Sequence, residues 1–165
     1  MTNFQGEEME HLELKVDKYT FIVPKGLYYN ENDFWARVEG KIATVGITSY
    51  LQNHLSDIVF VSLPEAGTKI EQFGEAGSFE SVKAALDVIS PVSGSIVEVN
   101  NELVNSPELA NSDPYGRGWF VKIELTDFES DKENLIDAEG YFKVMKKKVE
   151  KEHVQLRQKR SENTT

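Results

Sequence analysis

The chain has 165 residues, 39% of them hydrophobic, which is enough to bury one core and too little for two ordinary domains. It contains no cysteine, so disulfides, thiolate nucleophiles, paired redox cysteines and zinc knuckles are excluded, and any redox chemistry must be borrowed. A formal net charge of -10 opposes a nucleic-acid partner, whose phosphates would be repelled over most of the surface.

Residues 1–18 are expected to form a polar N-terminal lead in which "HLELKV" can be extended. The acidic start "MTNFQGEEMEH" is unlike a signal or transit peptide, and no apolar run is long enough to span a bilayer, so a cytoplasmic protein without a membrane partner is expected. "YTFIVPKGLYYN" reads as strand and turn, broken by Pro24 and Gly26. "FWARVEGKIATVGIT" is the clearest hairpin, its two alternating runs meeting at Glu39-Gly40. Thr48 is placed to N-cap a short helix over "SYLQNHL", with Leu51 and Leu55 on one face. "DIVFVSLP" is a near-continuous apolar run, the pattern of a strand buried on both faces. Short segments punctuated by Gly74, Gly77 and Gly94 follow, with "SIVEV" returning as a strand, and the rhythm is that of a small barrel or sandwich. "VNSPELANSDPYGRGW" reads as an ordered surface loop, and "WFVKIEL" as the strand that closes the sheet. Ser130 or Asp131 is expected to cap a C-terminal helix bearing Leu135, Ile136, Tyr141, Phe142, Met145 and Val149. Residues 141–160 hold eight of the eighteen Lys and Arg against two acids. Residues 146–165 are therefore expected as a basic helical extension, frayed at its end, either solvated or docking an acidic partner.

Enzymatic motifs are missing: there is no GxxxxGK[ST], GxSxG or HExxH, and His11, His54 and His153 lack ligand-like spacing. A non-catalytic protein without a metal is expected. The stretch "FESVKAALDVISPVSG" sets Lys83 between two strand-like runs, at or near a hairpin tip. An exposed lysine is ordinarily a solubilising charge. On a rigid tip it also has the geometry a ligase needs to attach a carboxylic cofactor through an amide, which removes the charge.

The run from Phe79 through "SPVSGSIVEVNNELVNSPELANSDPYGRGWFVKIEL", together with "GKIATVGITSYLQNHLSDIVFVSLPEAGTKI" and "LIDAEGY", resembles the glycine cleavage system H protein family over roughly residues 19–145. Val82-Lys83-Ala84 within "ESVKA" matches the H-protein form. Biotin carriers usually flank their lysine with methionines, and lipoyl domains of oxoacid dehydrogenases favour Asp-Lys-Ala. The resemblance implies a mainly β fold: a small barrel-sandwich hybrid of the lipoyl/biotinyl type, with a short internal helix and a C-terminal helix. It implies lipoate in amide linkage to Lys83, with Glu80, Ser81, Val82 and Ala84 read by the ligase and Asp87 beside the loaded arm. The implied partners are glycine decarboxylase, which holds pyridoxal phosphate, a tetrahydrofolate-dependent aminomethyltransferase, the flavoenzyme dihydrolipoyl dehydrogenase, and a lipoate ligase or lipoyltransferase. A monomer suits a carrier that visits several active sites. Pro91, Gly94, Pro114, Gly116, Gly118 and Trp119 read as architectural, through fixed φ, positive φ and a buried aromatic plug.

Three positions depart from the family pattern. Asp33-Phe34-Trp35 stands where His-Glu-Trp is usual, Tyr50 where histidine is frequent, and Ser56 where glycine is usual. With Phe34 in place of the acid, an aminomethyl ammonium meets an aromatic ring, and a cation–π contact would compensate in part. Asp33, one position away, should face the other side of the strand. Three readings follow: a lipoyl carrier of the glycine cleavage system; a lipoyl carrier of the same build in another pathway, such as heterodisulfide-reductase-like sulfur oxidation; and an unmodified interaction module.

Overall fold

A computed structural model describes the backbone of residues 2–4 and 7–163 and the side chains of residues 10–154. Parts of the expected lead and the last residues of the expected frayed end lie outside the described residues. Strands β1 (Thr2–Phe4) and β2 (Glu7–Met9) pair antiparallel. Strand β3 (His11–Val16) then pairs along its length with β4 (Tyr19–Pro24). The segment expected as a polar lead thus includes a strand of the fold. Leu12, Leu14 and Val16 alternate with charged residues and pack their apolar row against a buried cluster.

The larger sheet runs β5-β6-β7-β13-β12-β9 and comprises β5 (Tyr28–Tyr29), β6 (Phe34–Glu39), β7 (Ile42–Ile47), β9 (Lys69–Ile70), β12 (Gly94–Val99) and β13 (Val121–Leu125). The β6–β7 turn falls where expected, and Gly40 takes φ +64°, a conformation that costs glycine least. A second sheet, β11-β10-β8, is built from β8 (Ile58–Ser62), β10 (Glu75–Ser81) and β11 (Ala85–Ile89). Ile47, Val61, Phe79, Val88, Ile96, Phe120 and Ile123, drawn from both sheets and their connections, form one buried core. Each large apolar side chain so buried contributes about 1.5–3 kcal/mol.

Strand β8 differs from its sequence reading. It is an edge strand, with Ile58 and Val61 buried but Val59 and Phe60 55% and 52% exposed. A register shift between Glu80 and Ser81 on β10 breaks the strict alternation and turns two successive apolar residues outward.

Helix α1 (Ser49–Leu55) is capped as expected, Thr48 Oγ1 accepting from the Leu51 N–H at 3.2 Å. The stretch expected as a loop, residues 104–119, holds the short helix α3 (Leu109–Ser112), and its first two residues end another, α2 (Asn101–Asn105), which Asn100 caps. Asp127, and not Ser130 or Asp131, caps α4 (Phe128–Lys132). Asp131 is buried instead, accepting from the Ser93 N–H at 2.7 Å and hydroxyl at 3.1 Å. Gly94 and Gly118 serve by close approach rather than positive φ: a Cβ would lie 2.0 Å from the Glu124 carbonyl oxygen and 2.4 Å from that of Leu109. Trp119 is only half-buried, and Tyr115 and Phe120 supply the aromatic plug.

Helix α5 (Ala138–Asn163) closes a second buried cluster against the β3–β4 hairpin and the outer face of β6, with Phe21, Tyr29, Trp35, Tyr50, Tyr115, Tyr141, Met145 and Val149 as its members. Tyr29 and Tyr141 stack at 4.7 Å, and Trp35 Nε1 donates to the carbonyls of Ile47 and Pro114. The boundary expected at residue 146 falls inside this helix, and Val149 beyond it is still 5% exposed.

Candidate functional site

Lys83 sits in the turn joining β10 to β11, at the free end of the smaller sheet. Ser81 builds that turn. Its N–H donates to the Ala84 carbonyl at 2.8 Å, and its Oγ accepts from the N–H groups of Lys83 at 3.0 Å and Ala84 at 3.1 Å. The Val82 N–H donates to the Asp57 carbonyl at 3.0 Å, tying the turn to the chain after α1. The turn is therefore held on both sides while the Val82 side chain stays 63% exposed.

The Lys83 side chain is exposed, and its Nζ donates to the carbonyl oxygen of His54, at the C-terminal end of α1, at 3.1 Å. Among the described residues no carboxylate forms an ion pair with it. Acylation of this nitrogen would break no salt bridge, and a secondary amide still carries one N–H to donate. The residues present fit an amide-linked group.

Of the other expected site residues, Ser81, Val82 and Ala84 share the turn with Lys83. Glu80 and Asp87 lie on the outer face of the sheet, Glu80 opposite Phe60 and Ala85, Asp87 opposite Ser78. Together with Asn32 and Leu86 they line a shallow depression of about 450 Å³ that Lys83 does not line. Lys83 instead lines a groove of about 440 Å³ between α1, the β3–β4 hairpin and α5, with His54, Asp57, Val149 and Glu152. His54 and Glu152 escaped the sequence reading. They are 98 positions apart, and only the packing of α5 brings His54 Nδ1 to 3.0 Å from Glu152 Oε1. Tyr50 also donates to that carboxylate oxygen. Burial first, and then the Glu152 carboxylate, raise the Tyr50 phenol far above its ordinary value.

The departures from the family pattern now have positions. Phe34 is 2% exposed and packs edge-on against Phe79 at 6.3 Å inside the core, so its ring is closed to any cationic ligand and the expected cation–π contact is not available. Asp33, φ +74°, turns to the opposite side, where it pairs with Lys148 Nζ at 2.9 Å and accepts from the Tyr141 hydroxyl at 2.7 Å. Burial raises its carboxyl above the ordinary value against the pull of those two partners. Ser56, where glycine is usual, caps α1 at φ +62° and ψ −148°, a region natural to glycine alone. Each histidine lies near a carboxylate, His11 by Glu13, His54 by Glu152 and His153 by Asp17, and no metal-holding cluster occurs among the described residues.

Two antiparallel sheets around one core, with a single lysine on a braced hairpin turn, define a barrel-sandwich protein of the lipoyl/biotinyl type. Residues 27–148 match the family described as Glycine cleavage H-protein. The chain is 44% identical over 129 residues to a glycine cleavage system H protein of Carboxydothermus hydrogenoformans, covering 78% of this chain and 98% of that one. It is 45% identical over 135 residues to the mitochondrial glycine cleavage system H protein 2 of Arabidopsis thaliana, covering 81% and 86%. A crystal structure of a glycine cleavage system H protein from Mycobacterium marinum superposes with a TM-score of 0.63 at 34% identity, over 72% of this chain and 95% of that one. The chain belongs to the glycine cleavage H-protein family. No helix among its described residues is long and apolar enough to cross a membrane.

Proposed function

We propose that this chain is the lipoyl carrier of a glycine cleavage system, with lipoate in amide linkage to Lys83. One observation carries the reading: Lys83 stands on a turn braced by Ser81, exposed and free of any carboxylate among the described residues, within a chain of this family. A dithiolane on that nitrogen supplies the sulfur that a cysteine-free chain lacks. The chain's own residues do the rest. Ser81 and the Val82–Asp57 bond hold the attachment point, so the tethered group meets each partner at high effective concentration. Exposed Val59, Phe60 and Val82 offer an apolar surface with Glu80 beside it, for a lipoate ligase or lipoyltransferase and for the enzymes visited. Those enzymes are glycine decarboxylase, aminomethyltransferase and dihydrolipoyl dehydrogenase; the carrier itself catalyses nothing, and acts as a cytoplasmic monomer.

The test is glycine–bicarbonate exchange by glycine decarboxylase with protein whose lipoylation is confirmed by intact mass, alongside Lys83→Arg. Exchange that needs Lys83 is the expected result. Absence of exchange from fully lipoylated protein would overturn the glycine assignment. It would favour the second reading, a lipoyl carrier of another pathway such as heterodisulfide-reductase-like sulfur oxidation, for which the burial of Phe34 speaks, since no acid occupies that position.

A further inference from the structure

We propose that Asn111, on α3, is a positioning residue that presents Lys83 for modification, by fixing the peptide plane on which the Lys83 turn is seated. That role rests on the reading of Lys83 as the lipoyl attachment point.

Two carbonyls of the segment joining α1 to β8 meet the Lys83 turn: His54 accepts from Lys83 Nζ at 3.1 Å, and Asp57 from the Val82 N–H at 3.0 Å. The segment has no helix or strand bonds of its own to hold it, and it leaves α1 through Ser56 at φ +62°, a conformation that serine keeps only where its surroundings enforce it. Asn111 supplies that enforcement from more than fifty positions away. Its Nδ2 donates to the Ser56 carbonyl at 2.7 Å and to Gln52 Oε1 at 3.2 Å, while its Oδ1 accepts from the Ile58 N–H at 2.9 Å. The Ile58 N–H and the Asp57 carbonyl belong to one trans peptide plane and point to opposite sides of it. Asn111 therefore grips that plane from one side and Val82 from the other. The two bonds run in series, each polarising the next. An aspartate at 111 would keep the acceptor for Ile58 but face the Ser56 carbonyl with a second oxygen, so both ends of the asparagine amide are needed.

In the step itself lipoate and ATP give an acyl adenylate and pyrophosphate. Neutral Lys83 Nζ then attacks the acyl carbon, the C–N bond forms, the C–O bond to AMP breaks with its electrons leaving on AMP, and one Nζ proton passes to water. Asn111 touches none of these atoms. What it sets is the fraction of free carrier whose turn is already seated, and a ligase that binds the seated form has its apparent affinity reduced by that fraction. Loss of Asn111 should therefore appear in KM for the carrier and leave kcat alone.

The experiment measures steady-state lipoylation of the full chain by a lipoate ligase, read by intact mass, in wild type, Asn111→Ala, Asn111→Asp and Asn100→Ala. Asn100 is the control, because its amide bonds backbone groups of Leu103, Arg117 and Trp119, none of them in the Lys83 turn or in the segment before β8. The expected result is a rise of about fivefold in KM for both Asn111 variants, the worth of roughly one net hydrogen bond, with kcat unchanged. The Val82 amide should exchange hydrogen faster in those variants while the Phe120 amide, bonded to Val45 in the core, keeps its wild-type rate. Asn100→Ala should keep the wild-type KM. A wild-type KM in the Asn111 variants, a change confined to kcat, unaltered Val82 exchange, or an equal rise in Asn100→Ala would overturn the role. Should Asn111→Ala fail to fold, Asn111→Asp decides by the same readouts. A wild-type chain that gains no lipoyl mass would instead overturn the lipoyl reading and this role with it.

Discussion

The Lys83 turn and the α5 face are stabilised by opposite strategies. At the turn every bond that shapes the backbone comes from residues within three positions, save the Val82 N–H to Asp57. At the α5 face the defining bonds span a hundred residues or more, as between Tyr50 and Glu152 or Lys148 and Asp33. The difference teaches that the attachment point is rigid by local chemistry, whereas the groove beside it exists only in the folded whole. Damage to α5 should therefore reshape the surroundings of Lys83 without removing its capacity for modification.

The largest expected effect comes from the second cluster. Trp35→Ala removes a fully buried indole and its two bonds, and should cost about 3–5 kcal/mol in denaturant unfolding. A loss under 1 kcal/mol would contradict the packing described. Lys148→Ala leaves the buried Asp33 without one of its two side-chain partners, and should cost about 1–3 kcal/mol while the mass gained on ligase treatment is unchanged. Loss of modification in that variant would break the separation between the two regions. Ser56→Gly should stabilise by about 1 kcal/mol, because glycine relieves the strained cap, read as a raised denaturation midpoint. Ser81→Ala removes the acceptor for two turn N–H groups; a local cost of about 1 kcal/mol should appear as faster hydrogen exchange at Lys83 and Ala84 and slower lipoylation.

The smallest effect is a pH dependence. Burial raises the Asp33 carboxyl above its ordinary 3.8, so the folded chain holds this proton more tightly than the unfolded one. Its contribution to stability is therefore fully present below 3.8 and is lost as pH rises through the folded value. The stability of wild type relative to Asp33→Asn should fall with rising pH across that window. A rise would mean that the Lys148 pair outweighs burial.

What was legible in the sequence was what short-range chemistry decides. Thr48 capping α1, the Gly40 turn and the strand–Lys83–strand pattern each depend on a few neighbouring residues. The extended run of β3 was legible in "HLELKV", but its place in the fold was not, because its alternating apolar row matters only once β4 and α5 cover it. The exposure of Phe60 depends on a register shift in its partner strand, which no run of apolar letters reveals. Lys148 and Glu152 read as solvated charges because their partners, Asp33, Tyr50 and His54, are distant in sequence. The strand rhythm pointed to a small barrel or sandwich and the family resemblance narrowed it to the lipoyl/biotinyl type, whereas the site's wall is set by tertiary packing.

The most direct measurement is fragment-ion mass mapping of the chain after treatment with lipoate, ATP and a lipoate ligase. One lipoyl group on Lys83, with none on the other thirteen lysines, is the predicted result. An unmodified chain, or lipoate on any other lysine, would contradict the assignment of this turn as the carrier site.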